Sequence, residues 1–145
     1  MKLFYRTLLL AVVLVAGTVS AVAGGPRVKE IDHKEYSKLF ESGKKIKKPA
    51  VIFFYKSDSE ACQKLAPLLE ELASKNFKGK INFYCIDVDA NPQLTGQLGI
   101  NAIPYLACYP KTNKGEPFAT KGAQSKQAYI NLFNEKLLNK KPKKK

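Results

Sequence analysis

Beyond residue 26 the hydrophobic pattern is sharpest at Val51-Ile52-Phe53-Phe54-Tyr55, a run of β-branched and aromatic residues with no polar interruption. A run of that kind predicts a strand buried on both faces. It ends in Lys56-Ser57-Asp58-Ser59, a cluster of helix-capping residues, and a 3.6-residue pattern follows. Leu65, Leu68, Leu69 and Leu72 share one helical face, while Glu70 and Glu71 fall on the face expected to meet water. Upstream, Val28 to Ile31 reads as an edge strand, and Asp32 caps a helix from about His33 to Ser42 that turns Tyr36, Leu39 and Phe40 inward. Gly43 ends that helix. Downstream, Asn76 and Gly79 mark a turn before an alternating strand, Ile81 to Val88. Asn91-Pro92 opens a short helix, Gln93 to Leu98, stopped by Gly99. Pro104 to Tyr109 and Pro117 to Lys121 predict a hairpin around the turn-rich loop Pro110 to Glu116. Ser125 caps a last amphipathic helix that buries Tyr129, Leu132, Phe133 and Leu137. No internal repeat, phosphate loop or metal-ligand spacing is present, so no cofactor and no metal are expected.

Composition changes this picture at the two ends. Residues 1–23 have the pattern of a secretory signal peptide: Lys2 and Arg6 in front, an apolar stretch from Leu8 to Ala16, and a small-x-small site at Ala21-Val22-Ala23. The stretch is short for a membrane span, which makes an uncleaved signal anchor the runner-up. The expected location is therefore exported: periplasmic, secreted or in a secretory lumen, where thiol chemistry runs towards disulfides. The formal net charge is +13, and lysines crowd a terminal tail, residues 140–145, expected to be disordered. A second run, Lys44, Lys45, Lys47 and Lys48, precedes the central strand. Basic surfaces of this sort suit acidic partners or anionic surfaces, and Lys140 to Lys145 offer such an electrostatic contact. No aromatic or arginine platform accompanies the lysines, so nucleic acid has little support as a partner. With eight Phe and seven Tyr in the chain, the middle is a folded domain, residues 24–139.

The chemistry rests on the ordered motifs. Ser59-Glu60-Ala61-Cys62 opens the long helix, Pro67 lies inside it, and Asp89-Ala90-Asn91-Pro92, Ile103-Pro104, and Gly122-Ala123 with Ser125-Lys126 follow in sequence. This series resembles the thioredoxin family, whose pattern is a strand, Cys-x-x-Cys at a helix start, a proline in that helix, Asp-x-Asn-Pro, an Ile-Pro with a cis bond, a hairpin, a glycine and a final helix. The resemblance runs in register from about Val28 to Leu138. It implies the α/β thioredoxin fold: a central mixed five-stranded sheet flanked by helices on both faces.

The resemblance also implies where the site departs from dithiol chemistry. Disulfide exchange needs a thiolate to attack and a second thiol to resolve the mixed disulfide. Ser59 stands where the attacking cysteine belongs, leaving Cys62 as the single redox thiol at the resolving position. Phe53 replaces the family's buried Asp, Cys85 its Lys, and Asp58 the tryptophan before the motif, so ordinary dithiol reductase activity is expected to be absent. Three readings of Cys62 remain open: a structural thiol, a partner in mixed disulfides, or a bridge to Cys85. Cys108 lies on the strand after Pro104 and should be separated from Cys85 by the central strand. Ile103 and Pro104 would keep the family's substrate shelf, where an extended peptide pairs with the backbone. His33, the single histidine, is expected at the solvent surface rather than at the site. Two functions follow: a thiol-disulfide protein acting through Cys62 on protein thiols or disulfides, as a monothiol trap or isomerase of low activity, or a non-enzymatic module binding peptide segments beside the cis-proline.

Overall fold

The computed structural model describes residues 27–141; the signal-peptide reading of 1–23, the domain start at 24–26 and tail residues 142–145 lie outside them. The chain lays down β1 (Val28–Glu30), α1 (His33–Tyr36), β2 (Ala50–Tyr55), α2 (Glu60–Glu71), β3 (Asn82–Asp87), α3 (Pro92–Gln97), β4 (Tyr105–Tyr109), β5 (Phe118–Lys121) and α4 (Lys126–Lys136). Wider, π-helical turns extend α1 over Ser37–Glu41 and α2 over Leu72–Asn76. The strands form one mixed sheet in the order β1-β3-β2-β4-β5. β1, β3 and β2 are parallel, β4 runs against β2, and β5 runs against β4.

β2 is central because its residues bury both faces: Ala50, Val51, Ile52, Phe53 and Phe54 are all buried. Alternation then sorts them between two layers. Val51 and Phe53 join Leu65, Leu69, Leu72, Tyr129 and Phe133 under α2 and α4. On the other face Ile52 and Phe54 join Ile31, Tyr36, Ile86 and Leu94 under α1 and α3. Asp32 accepts from the Glu35 N–H at 2.8 Å and Ser125 from the Ala128 N–H at 3.2 Å, so both expected caps close their helices. Pro67 sits inside α2, where its missing N–H leaves the Gln63 carbonyl without its helical donor.

Several expectations change. Leu39 is 40% exposed rather than inward. The wide turns after Tyr36 add backbone per turn and rotate Leu39 off the stripe, while Phe40 stacks on Tyr109 and tilts against Tyr36, with ring centroids 4.6 and 5.3 Å apart. Glu70 and Glu71 are half-buried instead of water-facing. The Glu70 carboxylate accepts from the backbone N–H groups of Arg27 (2.6 Å) and Val28 (3.0 Å), which ties β1 to α2. Glu71 pairs with Lys126 at 2.7 Å, joining α2 to α4, and this ammonium holds the Glu71 carboxyl below the usual carboxylate range. Leu68 and Leu132 are half-buried at the margin of the α2–α4 layer rather than within it. His33 is half-buried at the head of α1, its backbone N–H donating to Asn91 Oδ1 at 2.9 Å.

Candidate functional site

The C-terminal end of β2 delivers the chain to the head of α2. Ser59, in extended backbone at φ −81° and ψ 117°, is the N-cap, and its Oγ accepts from the Cys62 N–H at 3.3 Å. The backbone N–H of Gln63 donates to the Ser59 carbonyl at 3.0 Å, and the Gln63 amide donates to the Ser57 carbonyl at 2.8 Å. These bonds fix the loop before the helix. Ser59 is half-buried, and Cys62, one turn in, is 2% exposed within the layer that holds Phe53, Leu65 and Leu106. The two motif positions are thus brought together, serine outward and cysteine inward.

The start of β4 lies at the same end of the sheet, because Phe54 of β2 pairs with Tyr105. The Ile103–Pro104 peptide bond is cis. Pro104 is buried, with its carbonyl accepting from the Gly122 N–H at 2.8 Å, and the β4 ladder begins only at Tyr105. Ile103 is half-buried and packs against the layer that contains Cys62. Gly122 makes the return possible with φ +74°, in the left-handed region that glycine adopts without a Cβ penalty.

Beneath the motif, Phe53 and Cys85 are register partners on β2 and β3. They face a cavity of about 340 Å³ walled further by Tyr55, Pro67 and Glu70. Phe53 and Tyr55 rings tilt together at 5.6 Å, and the Tyr55 hydroxyl donates to Glu30 Oε1 at 3.1 Å. Burial, with the Glu30 and Glu70 carboxylates beside it, pushes the half-buried Cys85 thiol up to about 11. Burial alone pushes Cys108 up to about 12. All three cysteines are unpaired, so the structure contains no Cys62–Cys85 bridge. Cys108 is the register partner of Val51, and β2 stands between it and Cys85, as expected.

Sequence reasoning missed Tyr55 and Glu70, which wall this cavity, and Glu30, which accepts from the Tyr55 hydroxyl. Glu70 gave no usable signal, because its partners are backbone groups some forty residues away in the chain. Among the described residues, no group of three His, Cys, Asp or Glu side chains is arranged to hold a metal ion.

The family model described as Thioredoxin matches residues 27–135. The chain is 28% identical to the thioredoxin of Borreliella burgdorferi over 108 residues, 74% of this chain and 87% of that protein. It is 29% identical over 90 residues to the thioredoxin of Rickettsia felis, covering 61% of this chain and 82% of the relative. In three dimensions it is similar to chloroplastic thioredoxin z, with a TM-score of 0.68 at 22% identity over 77% of this chain and 96% of the other, a match that speaks for the fold.

Proposed function

The chain belongs to the thioredoxin family, whose members act on protein thiols and disulfides, and from that premise we propose that it works through one thiol, Cys62, in an exported compartment. The observation that carries this reading is the Ser59–Cys62 pair, with a half-buried hydroxyl at the helix head and a lone thiol behind it in the first turn. A hydroxyl does not attack disulfides at neutral pH, so the exchange has a single protein nucleophile. The Cys62 thiolate attacks one sulfur of a client disulfide, forming a Cys62–client disulfide and expelling the other client sulfur as a thiolate. No second motif thiol resolves the product. Release therefore requires a free thiol of a small molecule or another protein, which attacks the mixed disulfide and returns Cys62 to its reduced form. That stoichiometry is a trap or a slow isomerase rather than a reductase.

Client binding would use the stretch before β4. Ile103 precedes the ladder, and its backbone supports strand addition by an extended peptide across the head of α2. A second reading, a peptide-binding module without thiol chemistry, is favoured by the 2% exposure of Cys62. Incubating the full chain with a disulfide-linked peptide pair and separating the products without reductant distinguishes the two. A peptide adduct mapped to Cys62 and lost in Cys62→Ser is the expected result. Peptide binding that persists in Cys62→Ser with no adduct in the unchanged protein supports the binding module and overturns the thiol reading.

A further inference from the structure

The opposite end of the sheet is a lysine-covered pole. The last turns of α1 with the loop after them, and the loops that lead into β3 and out of β4, span residues 37–49, 77–81 and 110–117. They carry Lys38, Lys44, Lys45, Lys47, Lys48, Lys78, Lys80, Lys111 and Lys114 against only Glu41 and Glu116. The first and third loops are fastened together: the Ile46 N–H donates to Thr112 Oγ1 at 2.8 Å, and the Thr112 N–H to the Ile46 carbonyl at 3.1 Å. Gly115 of the third loop approaches the Lys136 carbonyl, so the end of α4, with Lys140 and Lys141 beyond it, adds to the same pole. Among the described residues, none of the nine loop lysines has a carboxylate within ion-pair distance.

Charge is half of the feature. Between the first loop and the sheet lies a cleft of about 510 Å³ whose apolar lining includes Phe40, Ile46 and Tyr84, with lysines around its mouth. Leu39 stands on that lining and, at 40%, is the exposed large hydrophobic side chain among the described residues. A leucine turned out of its own helix stripe, on a cleft lined with lysines that lack carboxylate partners, matches the headgroup–acyl boundary of a bilayer. There a layer of anions lies directly over hydrocarbon, and lysine stems lie along the apolar side while their heads reach the phosphates.

We infer that this pole docks on anionic lipid bilayers, with Leu39 entering the boundary and the Lys44–Lys48 run pairing with lipid phosphates. An acidic protein would satisfy the lysines without using Leu39. Nucleic acid recognition would call for stacking or arginine contacts, and these loops contain no arginine. Ser59, Cys62 and Pro104 lie at the far end of β2, which is roughly 20 Å long by strand geometry, so a docked molecule presents that site away from the membrane.

The test is co-sedimentation of the full chain with phosphatidylcholine vesicles, with or without about one-third phosphatidylglycerol. Binding to the neutral vesicles sets the baseline for the apolar residues before 27, so the quantity read is the anionic increment. That increment should be at least about tenfold at low salt and shrink as salt rises. Replacing Lys44, Lys45, Lys47 and Lys48 by Gln should remove most of it, and Leu39→Ser should weaken it several-fold with the melting temperature unchanged. Truncation after Asn139 should leave most of it in place. Equal binding to both vesicle types overturns the proposal, as does an increment that survives the four glutamines. An increment indifferent to Leu39→Ser and abolished by polyglutamate assigns the pole to acidic polymers instead.

Discussion

Cys62 and Cys85 lie on the same side of the same sheet, yet their surroundings divide the properties a working thiol needs. Cys62 lies in the first turn of α2 with its N–H capped by Ser59, but is 2% exposed. Cys85 has a cavity in front of it and access to solvent, but burial and two carboxylates keep it protonated up to about 11. Position and access have been separated. In a dithiol site an exposed cysteine at the helix head would supply both, and here that place is a serine. The difference shows that a thiol's reactivity follows from its surroundings rather than from its presence in a motif.

The comparison can be broken most forcefully at the cavity. Phe53→Asp places a carboxyl at a position 3% exposed in the layer that holds Val51 and Leu106, removing a core aromatic and burying a polar group. It should cost at least about 3 kcal/mol of unfolding free energy in urea titration. A loss below about 1 kcal/mol would mean that the cavity is already wet. Ser59→Cys attacks the other side. It should form an internal disulfide with Cys62 on mild oxidation and reduce insulin slowly, where the unchanged chain stays at background. Absence of both would show that the helix head does not hold the two positions in bonding geometry.

A milder effect sharpens the contrast through pH. Alkylation of Cys85, mapped by peptide mass, should rise about tenfold per pH unit between pH 8 and 10 and level off only near about 11. Cys62 labelling should instead follow added denaturant, since opening of the layer is what exposes it. A free thiol ionises near 9.0, whereas burial and the two carboxylates push the folded Cys85 up to about 11. Its contribution to stability is therefore complete below about pH 9 and is lost as pH rises from about 9 to about 11. Cys85→Ala should flatten that decline. Smallest of all, Ser59→Ala removes the N-cap and should lower stability by about 1 kcal/mol, read as a shift in the thermal midpoint without loss of the fold.

Most of the architecture is legible because local chemistry and long-range packing agree along this chain. Val51 to Tyr55 admits no half-exposed strand, and Asp32, Ser59 and Ser125 stand directly before the helices they cap. The order of the Ser59–Cys62, Pro67, Ile103–Pro104 and Gly122 motifs then selects the fold. Three features resist such reading because the deciding atoms are distant. Leu39 belongs to the inward stripe of a regular helix, and only the wide turns displace it. Glu70 has the spacing of a surface residue, but it binds the backbone of β1. Cys62 is buried in a layer that also takes in Leu106 from β4 and Tyr129 from α4, side chains that periodicity around residue 62 does not reveal.

The sheet's margins carry one more consequence. β1 is three residues long and β5 four, and exposed Lys29, Glu30 and Lys121 stand on them. Two such chains meeting edge to edge would gain few ladder bonds and would have to strip water from charged side chains, so these margins discourage open-ended stacking into fibres.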